Sequence, residues 1–311
     1  MLSKMHMLIY LVPLLLLFMT GYLARVTGYF SSDNEPTLAD FFLRFSVPAV
    51  IFLLLMNVPL DQIDSYADFC VAFILGTVLP YYASVWLLRL SGMNHKASNY
   101  FASTGSFANV AAVTLPLILS MPHSGALVHA FTIAILLQLV MIILLLIRPY
   151  EGVSGGLMYK VKVVGEHMIQ SPIVCAVILG VLAASIHLRL PDVLYKTIHP
   201  IGMTIAALGL ICLGLNLRVR SLMTCNIAVW LMVVMKVIIS PVLAYGLALG
   251  LGLSDAETSV LVIMNACPTA AISAMIVSKK TSLDDEASSV MAGSIVFGFI
   301  SLGVWMSILP L

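Results

Sequence analysis

The chain has 311 residues, of which 61% are hydrophobic and 9% are charged, with a net charge of +1 and a mean hydropathy of +1.09. Soluble domains carry about 25% charged residues, so this composition excludes an ordinary soluble protein and predicts an all-α integral membrane protein. The near-zero net charge gives no reason to expect a nucleic-acid partner. No H-E-x-x-H pair or comparable motif occurs, so no cofactor or metal is expected.

Apolar stretches long enough to cross a bilayer, which takes about 20 helical residues, follow one another along the chain. They predict ten transmembrane helices over residues 7–27, 38–58, 67–88, 98–119, 124–147, 169–188, 197–217, 226–250, 256–278 and 286–309. The five cysteines fall in or next to these stretches without metal or disulfide spacing, and we interpret them as small buried apolar residues.

Lysine and arginine predict the orientation of these spans, because cytoplasmic loops carry an excess of both. The loops after odd-numbered spans hold ten of them, whereas the opposite side holds Lys4, Arg189 and Lys196. The ten are Arg25, Arg89, Lys96, Arg148, Lys160, Lys162, Arg218, Arg220, Lys279 and Lys280. We therefore expect a multi-pass protein of the cell (inner) membrane with both termini on the extracytoplasmic side.

Residues 148–168 form the one extended charged, glycine-bearing stretch and lie near the middle of the chain. They predict a cytoplasmic linker between two five-helix repeats, residues 1–147 and 169–311. Because five is odd, related halves would insert with opposite orientations, as in inverted-repeat transporters. Prolines recur in the same order in both halves, at unequal intervals: Pro13, Pro48, Pro80 and Pro116, then Pro172, Pro200, Pro241 and Pro268.

Two polar, proline-bearing segments interrupt the fourth and ninth predicted spans. The first runs from Ser103 to Asn109 and on to Pro116, and the second from Asn265 to Thr269 and on to Ser273. An unpaired backbone group in hydrocarbon costs several kcal/mol, so a broken helix at membrane depth must line protein or water. Paired interruptions in corresponding positions indicate the binding site of a transporter.

Short motifs of proline, small and polar residues follow one another along the whole chain. They are Val12-Pro13 through Gly21-Tyr22-Leu23, Phe45-Ser46-Val47-Pro48-Ala49 through Phe52, Asn109 followed by Pro116-Leu117, Ser171-Pro172 through Gly180, Leu213-Gly214-Leu215-Asn216-Leu217, Lys236 before Pro241, and Cys267-Pro268-Thr269-Ala270-Ala271. In this order and spacing the chain resembles the auxin efflux carrier family, which includes plant hormone exporters and bacterial malonate and malate permeases.

The resemblance implies a ten-helix carrier whose fourth and ninth helices unwind and cross near the bilayer midplane. The substrate site would lie there, between a scaffold and a mobile transport domain, and would take small organic anions, mostly carboxylates. The chain departs from the family between Asn109 and Pro116, where glycines are usual and residues 110–115 read Val-Ala-Ala-Val-Thr-Leu. Side chains there would limit close approach of backbone or ligand.

Residues at the two interruptions are the candidate substrate-binding residues: Asn109, Pro116, Ser106, Asn265, Pro268 and Thr269. Each proline removes a backbone donor and frees polar groups in the preceding turn. An asparagine amide can offer donors to a carboxylate. The alternatives are an ordinary kinked helix for the prolines and an interhelical hydrogen bond, worth about 0.6 kcal/mol, for the asparagines.

Lys236 is the seventh candidate, because a charge inside a span costs at least about 2.5–3.5 kcal/mol and must face a cavity or a partner. It is either a fixed cation that attracts an anionic substrate or a lysine bonded to carbonyls of an unwound helix. Arg44 lies nearer a membrane face and is expected to snorkel to it.

The remaining polar residues of the spans give weaker signals. His129 and Gln138 lie nine residues apart and on opposite sides of the fifth span, so they do not make one site. His129 is interpreted as a packing residue, with a proton relay as the alternative. No acidic residue lies securely inside a span, and Asp68 comes closest. Gly246 and Gly250 predict a close helix contact.

These features predict a secondary transporter that works by alternating access, and the family resemblance implies that it moves a small carboxylate such as malonate or malate. A membrane-embedded enzyme and an anion channel are the alternatives. The expected partners are the carboxylate, the lipid bilayer, and no nucleic acid. A coupling ion, H⁺ or Na⁺, and a homodimer are left open, as is uncoupled transport that follows the membrane potential.

Overall fold

The computed structural model describes residues 9–30, 35–58, 60–121, 125–147, 171–217 and 226–309. Within these ranges the regular elements are all helices. In chain order they are α1 (Leu11–Val26), α2 (Glu35–Phe41, continuing through Phe42–Ser46 and Val47–Leu55), α3 (Ala67–Leu90), α4 (His95–Phe101), α5 (Val110–Ser120), α6 (Gly125–Ile147), α7 (Pro172–Ser185), α8 (Asp192–Asn216), α9 (Ile227–Val234, continuing through Met235–Ile239 and Ser240–Leu251), α10 (Asp255–Ala266), α11 (Ala271–Lys280) and α12 (Asp284–Ile308).

Six helical stretches in the described ranges have the length and apolar composition to cross a membrane. They are Pro36–Leu55, Asp64–Leu90, Gly125–Ile142, Asp192–Asn216, Ile227–Gly250 and Asp284–Ile308. Three shorter apolar helices, α1, α5 and α7, accompany them. The all-α membrane class predicted from composition is therefore confirmed. The predicted linker, residues 148–168, lies outside the described residues.

Wide π-helical turns precede three of the prolines. In each, the residue before the proline donates its N–H to the carbonyl five residues back: Val47 to Phe42, Leu115 to Val110, and Ser240 to Met235. A proline has no N–H and its ring clashes with the carbonyl four residues back. Widening the turn relieves that clash, and the freed carbonyl of Val237 accepts a hydrogen bond from Ser301 Oγ at 2.6 Å.

The helices pack in two groups. In the first group, which we call the panel, α1 packs along α8, α7 packs along α2, and α2 contacts α8. In the second, which we call the crossing bundle, α9 packs on α3 and α10, α12 packs on α9, α10 and α11, and α6 packs on α10. The panel meets the bundle where α8 contacts α5 and α2 contacts α6. Helices from both ends of the sequence thus contribute to each group.

Glycine lets α1 and α8 approach closely. A Cβ atom placed on Gly21 would lie 2.1 Å from the carbonyl oxygen of Ile211, and one on Gly214 would lie 2.1 Å from that of Phe18. Both obstacles are backbone atoms, which cannot move without separating the helices. The close contact predicted for Gly246 and Gly250 is wrong, because no heavy atom of the described residues lies within 4 Å of a Cβ at either.

The cysteines are also less uniformly buried than predicted. Cys212 and Cys267 are buried and Cys70 is half-buried, but Cys175 is exposed on α7. Cys225 lies outside the described residues. An apolar helix facing lipid exposes small and large side chains alike, so position in an apolar stretch does not by itself imply burial in the protein.

Candidate functional site

Two extended breaks cross each other in the bundle. The first, residues 106–109, separates the short turn Ala102–Gly105 after α4 from α5, and the second, residues 267–270, separates α10 from α11. They run antiparallel: Asn109 N–H donates to Pro268 O at 2.8 Å, and Ala270 N–H donates to Phe107 O at 2.9 Å. Each break thereby supplies backbone partners that the other lost when its helix ended.

Hydroxyl groups connect the two crossing breaks, residues 106–109 and 267–270 and together called the crossing, to neighbouring residues by hydrogen bonds. Thr269 Oγ1 donates to the carbonyl of Thr104, and Thr269 N–H donates to Ser294 Oγ at 3.1 Å. Ser106 Oγ donates to Ala102 O at 3.2 Å. Thr269 and Ser106 are predicted to line the substrate site, and in the structure both hydroxyls donate to carbonyls of the turn Ala102–Gly105.

The two predicted prolines occupy different places. Pro268 lies within the second break, where its carbonyl accepts the bond from Asn109 and its ring packs against Gly298. A Cβ atom on Gly298 would lie 3.1 Å from Pro268 Cγ, so this contact needs a small residue. Pro116 lies in α5 beyond the first break, directly after the wide turn Val110–Thr114.

A cavity of about 160 Å³ lies beside the crossing, where the panel meets the bundle. It is lined by residues of α2, the two breaks, α5, α6, α7 and the start of α11: Phe42, Leu43, Val47, Ile51, Ala108, Asn109, Val110, Ala111, Leu115, Ile135, Gln138, Leu139, Ile142, Ile173, Ala270, Ala271 and Ile272. Asn109 and Gln138 supply the polar side chains of this lining. Asn109 is the one predicted site residue among them.

Asn109 caps α5 with its side-chain oxygen, and its side-chain N–H donor stays without a partner in the described part of the chain. Its Oδ1 accepts a hydrogen bond from Ala112 N–H at 3.3 Å, the usual role of an N-cap residue. Its Nδ2 is buried and has no hydrogen-bond partner among the described residues, and the side chain is only 6% exposed. Leaving a buried donor unpaired costs about 1–3 kcal/mol. Asn109 lines the cavity, and its Nδ2 lacks an acceptor among the described residues.

The N-termini of two helices open on the same cavity. α5 begins at Val110 and α11 at Ala271, both of which line it. Ala270, at the N-cap of α11, provides no side-chain acceptor, and no described side chain caps that end. A helix N-terminus carries roughly half a positive charge and points N–H groups outward, which favours anions. Both helix ends and the Asn109 amide thus present positive potential to one space.

Gln138 lines the cavity, although the sequence marked it only as a polar residue of the fifth span and not as a candidate for substrate binding. It lies on α6, is 6% exposed, and donates from Nε2 to Ala108 O in the first break at 2.8 Å. An amide in an otherwise apolar helix was the available signal, but its partner is thirty residues away in sequence. His129, on the same helix, is not part of the cavity lining.

Asn265 and Lys236 lie behind the crossing and not in the cavity. Asn265 Nδ2 donates one hydrogen bond to Leu261 O of its own helix at 2.8 Å, and Asn265 is not part of the cavity lining. Lys236 is fully buried, and its Nζ donates to Asn265 O at 3.0 Å and Met264 O at 3.5 Å. This geometry favours the second interpretation of Lys236, a lysine bonded to carbonyls of an unwound helix.

Acidic groups are kept out of the described interior. Asp68 is exposed, as are the side chains of Asp40 and Arg44, which pair at 3.5 Å on the surface of α2. No Asp or Glu is buried among the residues whose side chains the structure describes. The cavity therefore contains donors and helix N-termini without a described carboxylate to oppose them.

Comparison with known proteins identifies the family of this chain. A family model described as membrane transport protein matches residues 6–306, nearly the whole chain. The chain belongs to the membrane transport protein family. This membership confirms the family predicted from the motifs, and it makes the chain a multi-pass membrane transporter rather than a member of an enzyme family. No curated protein matches the chain.

For this membrane transport protein, replacing Gln138 with leucine is expected to lower uptake about tenfold. The substitution removes the remaining N–H of the Gln138 amide as a donor in the cavity, and a hydrogen bond to a charged ligand is worth about 1.5–3 kcal/mol, where 1.4 kcal/mol corresponds to tenfold. It also leaves the buried carbonyl of Ala108 without its bond, which lowers the stability of the fold. Initial uptake rates in proteoliposomes, normalised to folded protein, measure the effect. His129→Leu on the same helix is the matched control and should keep the wild-type rate. Equal rates in the two variants would remove Gln138 from the site.

Proposed function

We propose that this protein carries a small organic carboxylate anion, such as malonate or malate, across the membrane by alternating access. The observation that supports this most directly is the unpaired, buried amide of Asn109 in a cavity on which the N-termini of α5 and α11 also open. Donors and positive helix ends without a described acidic side chain suit an anion.

The size and lining of the cavity favour a small substrate. Its volume of about 160 Å³ is below the roughly 300–1,000 Å³ of pockets for drug-sized ligands. Most of the lining is apolar, so a substrate with one or two carboxylates on a short carbon chain matches it. This is the range covered by the bacterial malonate and malate permeases that the motifs resemble, and the proposal takes that subtype as its starting point.

We further propose the full ten-span, 5+5 inverted-repeat plan. Its support is the composition of the two helix groups. The panel contains α1 and α2 from before the predicted linker and α7 and α8 from after it. Each half of the sequence also supplies one of the two breaks that cross. Such a plan places the substrate at the repeat interface, and a rocking of the bundle against the panel would expose it alternately to the two sides.

Uptake of labelled carboxylates into proteoliposomes tests the function. Malonate, malate, succinate and indole-3-acetate are offered with pH gradient and membrane potential imposed separately, and empty liposomes are the blank. Saturable uptake of one member, accelerated by unlabelled substrate on the opposite side, is expected of a carrier. Flux linear in concentration would identify the anion channel instead. Absence of flux for the whole panel, with folded protein, would contradict the carboxylate assignment.

A further inference from the structure

Lys236 meets the end of a helix that has lost its usual hydrogen-bond donors. In a continuous helix the carbonyls of Met264 and Asn265 would accept from the N–H groups of residues 268 and 269. Residue 268 is Pro268, which has no N–H. Thr269 N–H donates instead to Ser294 Oγ. Both carbonyls are thereby freed, and both accept hydrogen bonds from Lys236 Nζ.

These freed oxygens form the kind of site that transporters use for a coupling cation. The C-terminal end of a helix carries roughly half a negative charge, and unwound carbonyls at such ends coordinate Na⁺ or H⁺ in transporters with broken helices. Here the ammonium group of Lys236 takes that place. It is 0% exposed and is held from α9, a neighbouring helix, through the wide turn Met235–Ile239.

Among the residues that the structure describes, Lys236 has no acidic partner with which to form a buried ion pair. The titratable neighbour with an electrostatic interaction is the thiol of Cys267 in the second break. No described Asp or Glu is buried on the elements packed against it, α3, α10 and α12. Carbonyl dipoles and the end of α10 are thus its described partners, which is how a bound metal cation would also be balanced.

We propose that Lys236 is a tethered cation that occupies the position of a coupling metal ion, so that the crossing needs and binds no Na⁺. The consequence for transport, independence from a Na⁺ gradient, rests on the proposed carrier function. The occupancy of the site does not, and it can be measured without any substrate.

The test uses the thermal stability of the purified full-length protein in lipid nanodiscs. In Lys236→Ala the side chain beyond Cβ is missing, and propylammonium has the same atoms from Cγ to Nζ. We expect the Tm of this variant to lie several degrees below that of the wild type. Addition of 100 mM propylammonium or NaCl should raise the Tm of the variant by about 3–6 °C relative to choline chloride, whose cation has no N–H donors. Lys236→Met fills the space without a charge and should show no restoration. Lys196→Ala, at an exposed position of α8, controls for loss of a lysine.

Wild-type protein is measured in the same salts. Its Tm should be equal in Na⁺ and choline within about 1 °C. A specific Na⁺-dependent rise in the wild type would overturn the proposal, because the site would then still be open. The proposal is also overturned if neither propylammonium nor Na⁺ raises the Tm of Lys236→Ala. It is overturned as well if no folded Lys236→Ala protein is recovered even when it is extracted in propylammonium. Failure of carboxylate uptake alone would count against the proposed function and leave these melting temperatures unaffected.

Discussion

Asn109→Asp is expected to reduce carboxylate uptake about 1,000-fold while the protein stays folded. Aspartate caps a helix as well as asparagine does, so the bond from Ala112 N–H is kept. The unpaired N–H donor is lost and a negative charge faces the anionic substrate. At about 4 Å and an effective dielectric constant near 20, that repulsion is worth about 4 kcal/mol, or three factors of ten.

The measurement is the initial uptake rate in proteoliposomes, with circular dichroism and melting temperature to establish folding. Asn94→Asp is the matched control, because Asn94 caps α4 through the same bond, accepting from Ala97 N–H at 2.8 Å, and does not line the cavity. Uptake should be unchanged in that control. Wild-type uptake in Asn109→Asp would remove Asn109 from the anion site.

Gly214→Ala is expected to destabilise the protein by at least ~3 kcal/mol, which lowers Tm by roughly 6–12 °C. The new Cβ would lie 2.1 Å from Phe18 O and 2.7 Å from Tyr22 N, and both are backbone atoms of α1. The panel can accept the methyl group only if α1 and α8 move apart, which opens their whole contact.

Gly246→Ala is the control for this substitution. Gly246 is also helical, and no described heavy atom lies within 4 Å of a Cβ there, so alanine should raise stability by about 0.5–1 kcal/mol through helix propensity alone. Thermal unfolding of both variants in the same detergent measures the difference. Equal melting temperatures would contradict the close approach of α1 and α8.

The two breaks leave positive helix N-termini on one side of the crossing and negative carbonyl ends on the other, and the two kinds of end have different partners. The N-terminal ends of α5 and α11 and the residue Asn109 line the cavity. The C-terminal carbonyls of α10 and of the turn Ala102–Gly105 face α9, and a side chain of α9 donates a hydrogen bond to each. Lys236 binds the end of α10, and Ser240, one turn on, donates to Gly105 O after α4 at 3.3 Å. Side chains of α9 thus bind both carbonyl ends, whereas the two N-terminal ends lie at the cavity proposed for the substrate.

Local signals in the sequence located the breaks correctly. Proline and polar residues around Asn109 and Pro268 predicted interruptions because a helix cannot form its regular hydrogen bonds there, and both breaks lie next to these residues. The same signals did not tell which groups would be reused as partners. Ser106, Thr269 and Asn265 are predicted from the sequence as ligand-binding residues, and in the structure each donates a hydrogen bond to a nearby backbone carbonyl.

The sequence by itself determined the class of the protein, the approximate limits of its helices and its family, because apolar length, proline and short motifs act locally along the chain. Only the tertiary structure decided that Gln138 joins the cavity, that Lys236 binds the carbonyls of Met264 and Asn265, and that Gly214 rather than Gly246 lies in a close contact. These outcomes depend on which helices become neighbours. In a uniformly apolar chain the periodic pattern that would predict a buried face is weak, since lipid-facing and protein-facing sides are both apolar.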